Sequence, residues 1–430
     1  MGKNIVLIFT DQMHKYALGK VSDYVKTPNL DRLCENGILF TDNYSNCPIC
    51  GPYRGNLFSG MYTSHNQVIN NGDPLPKNIP AMADAFNKGG YETSFVGKWH
   101  LGGGGNNPIT EDIRGGFRHF IGYQCYNGFH ENVCFYDEAD NEYYYNEHRT
   151  DVTTQLAIER LKMLHKTGKS FLHVIGYQAP HYPVQPSPKY EKLYEGIEFP
   201  YEVDYQEVDP YTPTYSPASP RPFEECSDYQ KYGNNMKEYL RLYYAMVSQV
   251  DDGVGQILHT LEELNIKDDT VIIFTSDHGD MQGSHGFKNK VLPYEKSCGT
   301  PLIVSVPDGI KNQQCSSPVS AIDLYPTCLD YANLPHETHL QGNSFAPYTL
   351  GYKQNIDWPV YAELLCSEKR WKMVRTQRYK LTVDWDSKQP YLLFDMQNDP
   401  FEMNNLINDH EYENIVNDLT SRIMSLGTIK

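Results

Sequence analysis

Four short stretches carry residues able to do chemistry. Asp11-Gln12 and Asp277-His278 together offer two carboxylates, an amide oxygen and an imidazole. That set is rich in oxygen and suits a hard divalent cation better than zinc. Taken singly, each pair also reads as an ordinary turn, because Asp and Gly are common turn residues. "GKWHLG" contributes Lys98 and His100, and "APHYP" contributes His181. An amine supplies a fixed positive charge, and imidazoles titrate near neutrality, where proton transfer is useful. Lys290 lies in "KNK", where a solvated amine is the ordinary alternative.

The stretch "SNCPICGPYRGNLFSG" (45–60) parses in two ways. Cys47 and Cys50 form a C-x-x-C pair, the spacing of redox dithiols and of half a zinc site. Cys50-Gly51-Pro52-Tyr53-Arg54 is instead a C-x-P-x-R run in which Cys50 alone would react. A redox pair belongs at the start of a helix in a small thioredoxin-like domain, and a zinc site needs a second pair. The ten cysteines contain no second C-x-x-C, so both of those readings lose support. Cys47 is then a packed neighbour.

These residues need a scaffold that gathers them. "NIVLIFT" (4–10) is an apolar, β-branched run, as expected of a buried parallel strand ending in Asp11-Gln12. "TPNLDRLCENG" reads as a helix opened by Pro28 and stopped by Gly37. The order of helix, glycine stop and strand recurs through "IPAMADAFNKGG" and "YETSFVGKWHLG", and again across 153–181. Residues 236–266 give the longest helical pattern, followed by the strand "TVIIFTSDHGD". This alternation predicts an α/β fold with a large mixed, mainly parallel sheet sandwiched by helices. Ligands of such sheets sit beyond the strands' carboxyl ends, which is where Asp11, Lys98, His181 and Asp277 fall.

After about residue 350 the pattern changes to alternating strands ("RWKMVRTQRYKLTVDW", "YLLFDM") and a closing amphipathic helix. We therefore expect a domain over 1–350 and a smaller C-terminal α+β unit over 351–430 containing an antiparallel sheet. Residues 182–234, dense in Pro, Tyr, Glu and Asp, read as a lid or substrate-facing excursion, and the Tyr-rich 120–148 reads similarly. The chain of 430 residues is 40% hydrophobic, enough for a sizeable core, and carries a formal charge of -17. That balance argues against nucleic-acid or anionic-membrane binding. No stretch approaches a membrane span, and the N-terminus enters a strand directly. The expectation is a cytoplasmic protein with reduced cysteines, or a periplasmic or secreted one if a leader was trimmed.

The run Cys50 to Arg54 with "GNLFSGMY" behind it resembles the signature of type I sulfatases, members of the alkaline phosphatase superfamily. The resemblance extends in order through "NIVLIFTDQM", "TPNLDRLCENGILFTDNY", "GKWHLG", "APHYP", "SDHGDMQGSHG", "KNKVLPYEKS" and "MVRTQRYKL" with "LFDMQNDPFEMNNL". It implies an alkaline phosphatase-like fold and hydrolysis of a sulfate monoester. It further implies that a maturase recognising Pro52 and Arg54 oxidises Cys50 to Cα-formylglycine. The hydrated aldehyde carries two hydroxyls on one carbon, so one attacks sulfur and the other later expels sulfate.

By the same resemblance, Asp11, Gln12, residue 50, Asp277 and His278 hold one divalent metal. Arg54 orients the diol, and Lys98 and Lys290 neutralise the sulfuryl oxygens. His100 takes a proton as sulfate is expelled, and His181 protonates the leaving alcohol. Many sulfatases have Asp-Asp and Asp-Asn where this chain has Asp11-Gln12 and Asp277-His278. The site keeps its ligand count but loses negative charge, so Ca2+ is expected, with Mn2+ or Mg2+ less excluded than usual. The same departures occur in choline-sulfatase-like and phosphonate monoester hydrolase branches. A phosphonate or phosphodiester hydrolase, or a choline or aryl sulfatase, is thus the alternative. The expected substrate is a small-molecule or oligosaccharide sulfate ester, a carbohydrate first, because tyrosine rings stack well on sugars.

Overall fold

The computed structural model describes residues 2–206, 235–366 and 370–426. At its centre lies β1 (Asn4–Asp11), whose Ile5 to Phe9 are fully buried because the strand is covered on both faces. Burying each such side chain contributes about 1.5–3 kcal/mol.

Ten further strands extend the sheet: β2 (Ile38–Tyr44), β3 (Glu92–Lys98), β4 (His119–Tyr123), β5 (Val133–Asp137), β6 (Glu142–Tyr145), β7 (Phe171–Pro180), β8 (Thr270–Ser276), β9 (Gly299–Ser305), β10 (Gln313–Cys315) and β11 (Val319–Ser320). Their order is β10-β2-β9-β8-β1-β7-β3-β4-β5-β6, with β11 pairing β2. The middle, β8-β1-β7-β3-β4, is parallel, and β9, β5 and β6 run antiparallel to their neighbours. The sheet is mixed and mainly parallel at its centre, as expected.

Side chains alternate between the two faces of β1, and each face has its own helices. Val6 and Ile8 pack with α1 (Pro28–Glu35), α4 (Arg149–Lys166) and α5 (Met236–Glu263). Ile5, Leu7 and Phe9 pack with α2 (Cys50–Ser59), α3 (Met82–Lys88) and α6 (Ala321–Tyr331). The C-terminal part forms a separate antiparallel sheet of β12 (Val360–Leu364), β13 (Trp371–Arg375), β14 (Tyr379–Asp384) and β15 (Pro390–Asp395). Helix α7 (Glu413–Leu426) covers it through Leu419 and Ile423.

One reading needs correction. Residues 120–148 are not an irregular excursion, since β4, β5 and β6 lie within or across them and carry the main sheet outward. Tyr123, Tyr136, Tyr143, Tyr144 and Tyr145 serve β-structure, which favours aromatic side chains, while Tyr126 lies between strands. Of the segment read as a lid, residues 182–206 include a short helix, Pro188–Leu193, and 207–234 lie outside the described residues. Nine described cysteines are free thiols, Cys47 among them and fully buried, while Cys226 lies outside the described residues. Among the described residues no helix is long and apolar enough to cross a membrane.

Candidate active site

The parallel register of β1 and β8 sets Thr10 opposite Ser276, so Asp11 and Asp277 emerge side by side. Gln12 turns immediately into the left-handed region (φ 71), and its N–H donates to Asp277 Oδ1 at 2.9 Å. The His278 N–H donates to the same oxygen at 2.8 Å. Gly279 is a glycine for a steric reason: a Cβ there would lie 1.9 Å from the Lys296 carbonyl oxygen. Opposite the strand ends, Cys50 is the first residue of α2, where a helix N-terminus favours negative charge. Its Sγ lies 3.3 Å from His278 Nε2, 3.5 Å from Asp11 Oδ1 and 3.3 Å from Lys290 Nζ.

Arg54 follows Cys50 by one helical turn and so shares its face. Its Nη2 lies 3.3 Å from Asp11 Oδ2 and 3.7 Å from Asp277 Oδ2, with the guanidinium 4.8 Å over the Phe9 ring. A second Arg54 nitrogen donates to the Lys98 carbonyl. Strand β3 ends in a kink at Gly97 (φ +108), where a Cβ would lie 2.1 Å from the Gly176 carbonyl oxygen of β7. The kink sends the Lys98 amine to 2.6 Å from Asp11 Oδ2. His181, just past β7, holds its Nε2 4.0 Å from Asp11 Oδ1. The Lys290 amine also donates to Gln12 Oε1 at 3.0 Å. All these residues, with His100, are buried.

Burial raises carboxyl pKa values and lowers those of amines and imidazoles, and local charges then decide each case. Asp11 is pushed up by burial, but Lys98, His181, Lys290 and His278 outweigh that and hold it well below the usual range. Asp277 is raised to about 7, by burial and by the Asp11 charge beside it. His100 is held well below the usual imidazole range by burial and by Lys98 and Arg54, so it is a neutral base. His181 is lowered by burial and by Lys290. Its Nδ1–H donates to the Tyr182 carbonyl at 2.6 Å, which leaves Nε2 bare toward the site.

His278 is lowered to about 4, chiefly by burial. Its Nδ1–H donates to the Gly279 carbonyl at 3.0 Å, so its Nε2 lone pair faces Cys50 and the two carboxylates. This is the tautomer a metal ligand needs. Ligand atoms of Asp11, Cys50, Asp277 and His278 lie within 4.8 Å of one another. Asp277 Oδ2 is buried without a hydrogen-bond partner. An orphaned oxygen, a paired like charge and a bare imidazole nitrogen fit a divalent cation, which supplies the charge Asp277 lacks. Gln12 Oε1 joins the group through Lys290, and His100 lies near enough to feel the charges of Lys98, Arg54 and Asp11.

Sequence reasoning passed over other residues here. The Tyr182 ring lies against His181 with centroids 4.2 Å apart and tilted by 31°, and 5.9 Å from the Lys290 amine. It stands inside "APHYP", so the motif that gave His181 could have given it. Cys125 is pushed up by burial, with Lys98 beside it pulling it down. A lone cysteine in a tyrosine-rich stretch gives no signal of that position. Asn71 accepts the Gly51 N–H at 2.9 Å and so braces the start of α2.

A family model, Sulfatase, matches residues 3–334. The chain belongs to the sulfatase family. It is thus a sulfuric ester hydrolase of the alkaline phosphatase-like fold. A second model, the N-sulphoglucosamine sulphohydrolase C-terminal region, matches residues 283–428 of this sulfatase. An ulvan-active sulfatase of Formosa agariphila is 27% identical, over 98% of this chain and 80% of its own. An N-acetylglucosamine-6-O-sulfatase of Bacteroides thetaiotaomicron is 27% identical, over 95% and 83%. A protein solved in complex with its substrate D-glucosamine-2-N,6-O-disulfate superposes with a TM-score of 0.85 at 24% identity, covering 100% of this chain and 98% of that one. The last likeness is one of fold.

Proposed function

We propose that this sulfatase hydrolyses a sulfate monoester of a carbohydrate, with residue 50 as nucleophile after conversion of Cys50 to Cα-formylglycine by a maturase that reads Pro52 and Arg54. The observation that carries the reading is the focus on residue 50. Its side chain sits at a helix N-terminus within 3.3–3.5 Å of a carboxylate, a bare imidazole nitrogen and an amine. The modified residue supplies two hydroxyls on one carbon, one to attack sulfur and one to expel sulfate. Asp11, Gln12, residue 50, Asp277 and His278 would hold one divalent cation, Ca2+ by its oxygen-rich donors, which would supply Lewis acidity toward the nucleophile and the sulfate.

The chain's own residues do the rest. Lys98 is held charged by Asp11, and Lys290 by the Cys50 thiol and Asp11, against the burial that pulls amines down. They offset negative charge developing on the sulfuryl oxygens. Arg54, fixed against Phe9 and the Lys98 carbonyl, aligns residue 50. Neutral His100 accepts the proton released as sulfate departs. His181 delivers a proton from Nε2 to the alcohol oxygen and must first take one up there, since its Nδ1 proton is committed to Tyr182.

The carbohydrate assignment draws on the two named relatives, which act on ulvan and on N-acetylglucosamine-6-O-sulfate. The test measures sulfate released from a sulfated saccharide and from an aryl sulfate, beside hydrolysis of a phosphonate monoester of the same phenol. Sulfate release well above phosphonate cleavage is expected, and a large preference for the phosphonate overturns the reading. Mass spectrometry of the peptide spanning 45–60 should show residue 50 lighter than cysteine. Fully active protein with an intact thiol would refute the nucleophile.

A further inference from the structure

The C-terminal sheet reaches the catalytic cluster through the loop that carries Lys290. That loop is pinned on both sides of the lysine. The Asn289 carbonyl accepts the Met281 N–H at 2.6 Å, the Leu292 N–H donates to Ser297 Oγ at 3.2 Å, and the Cys298 thiol donates to the Leu292 carbonyl at 3.2 Å. The fourth pin comes from β13: Trp371 Nε1–H donates to the Val291 carbonyl at 3.0 Å.

Val291 has φ +74 and is the only β-branched residue with a left-handed backbone among the described residues. That conformation is strongly disfavoured for a side chain branched at Cβ and persists only where the surroundings over-determine it. Here they do, since Val291 is buried in an apolar cluster with Cys298, Leu364, Trp371 and Met373. Between the pins, the Lys290 amine reaches Gln12 Oε1 and Cys50 Sγ at 3.0 and 3.3 Å.

We infer that Trp371 is a positioning residue for ester hydrolysis, its indole N–H holding Val291 in the left-handed conformation that aims the Lys290 amine at residue 50. The inference rests on the Lys290 role proposed above. Without the indole donor, the Val291 carbonyl loses its partner and the strained loop loses one of its four pins. The loop then relaxes toward negative φ, and a displacement of about 1 Å at a reacting centre can cost up to about 10²-fold in rate.

The test uses the full chain and Trp371→Phe, which keeps a ring in the apolar cluster and removes the donor. Hydrogen exchange over residues 286–298 should quicken, and kcat should fall about tenfold with a much smaller change in KM. In a Lys290→Ala background the same substitution should leave the residual kcat unchanged, because its effect passes through the lysine. Val291→Gly, which can hold the left-handed conformation without strain, should restore part of the kcat lost in Trp371→Phe and should do nothing once Lys290 is absent. Equal losses with and without Lys290 overturn the inference, as do unchanged exchange and unchanged kcat in active protein. A wild-type protein that releases no sulfate instead sinks the functional reading and the catalytic half of this one, while the exchange measurement still reads the clamp.

Discussion

Two clusters of buried charge among the described residues follow opposite rules. One joins the main sheet to the C-terminal sheet. There Lys15, Arg375 and Lys380 meet Asp42, Glu295 and Glu402, three cations for three carboxylates. Tyr44 donates to Glu295 at 2.9 Å and accepts from Arg375 at 2.8 Å. Glu295, though burial pushes it up, is driven well below the usual range by Lys15, Lys380 and Arg375. In the catalytic cluster, Asp11 draws contacts from Arg54 and Lys98, while Asp277 has its nearest cation 3.7 Å away and an oxygen without a partner. The joint spreads its charge evenly and holds. The catalytic cluster leaves valences open and can bind. Removing a cation should therefore weaken the first, and removing a carboxylate should relieve the second.

The sharpest way to break this contrast is Asp277→Asn. Turnover should fall about 10³-fold or more, the scale of losing a principal electrostatic group. Yet after chelation the variant should be more stable than wild type at pH 8. A carboxyl raised from 3.8 to about 7 costs nothing in stability below its unfolded pKa and its full penalty above about 7. The gain should be roughly 2–4 kcal/mol by denaturant unfolding. The amide can still accept from the Gln12 and His278 N–H groups. A chelated variant less stable than wild type would show that the catalytic cluster also serves as glue.

Lys380→Met makes the converse cut. Lys380 is about 1% exposed and pairs with both Glu295 and Glu402. Its loss leaves two carboxylates without a shared cation, a change that typically costs about 3–5 kcal/mol. The kcat of the folded fraction should not change. An undiminished unfolding free energy, or a lost kcat at full stability, would merge the two clusters into one.

The two clusters were not equally legible in sequence. Asp11, Lys98, His181 and Asp277 stand just beyond apolar runs that read as parallel strands, and the α/β topology alone brings such residues together. Cys50 and Arg54 were legible because they stand in a C-x-P-x-R run that resembles a family signature; that the run opens a helix was not read. Lys290 was weaker, since in "KNK" only the order of the motifs distinguished it from a surface amine. The joint gave no signal. Lys15, Glu295 and Glu402 are ordinary charged residues, and only pairing across hundreds of residues makes them a unit. Strand β9 was also passed over, because only a short helix, Glu295–Cys298, precedes "GTPLIVSV" and the helix, glycine stop, strand rhythm is lost there. The clamp from Trp371 to Val291 was equally silent, as a left-handed valine has no signature in composition or periodicity.

The smallest expected effect separates the clusters by pH. Glu402 is raised from 4.5 to about 7, first by burial and then by Glu295, with Lys380 pulling it back. The folded state thus holds this proton more tightly than the unfolded chain. The associated stability is fully present below about pH 4.5 and drains away as pH rises through about 7. Asp277 gives a slope of the same sign in metal-free protein, so the two must be told apart. Adding Ca2+ should remove the Asp277 share, because a cation favours the ionised carboxylate, and should leave the Glu402 share in place. Glu402→Gln keeps an acceptor for the Glu295 N–H, now 2.7 Å from the carboxylate, and cannot ionise. Unfolding free energies measured from pH 5 to 8 with Ca2+ should therefore decline in wild type by about 1–3 kcal/mol and stay flatter in the variant. If Ca2+ alone flattens the wild-type profile, the catalytic cluster accounts for the whole slope. The charges of the joint would then be better balanced than the position of Glu402 implies.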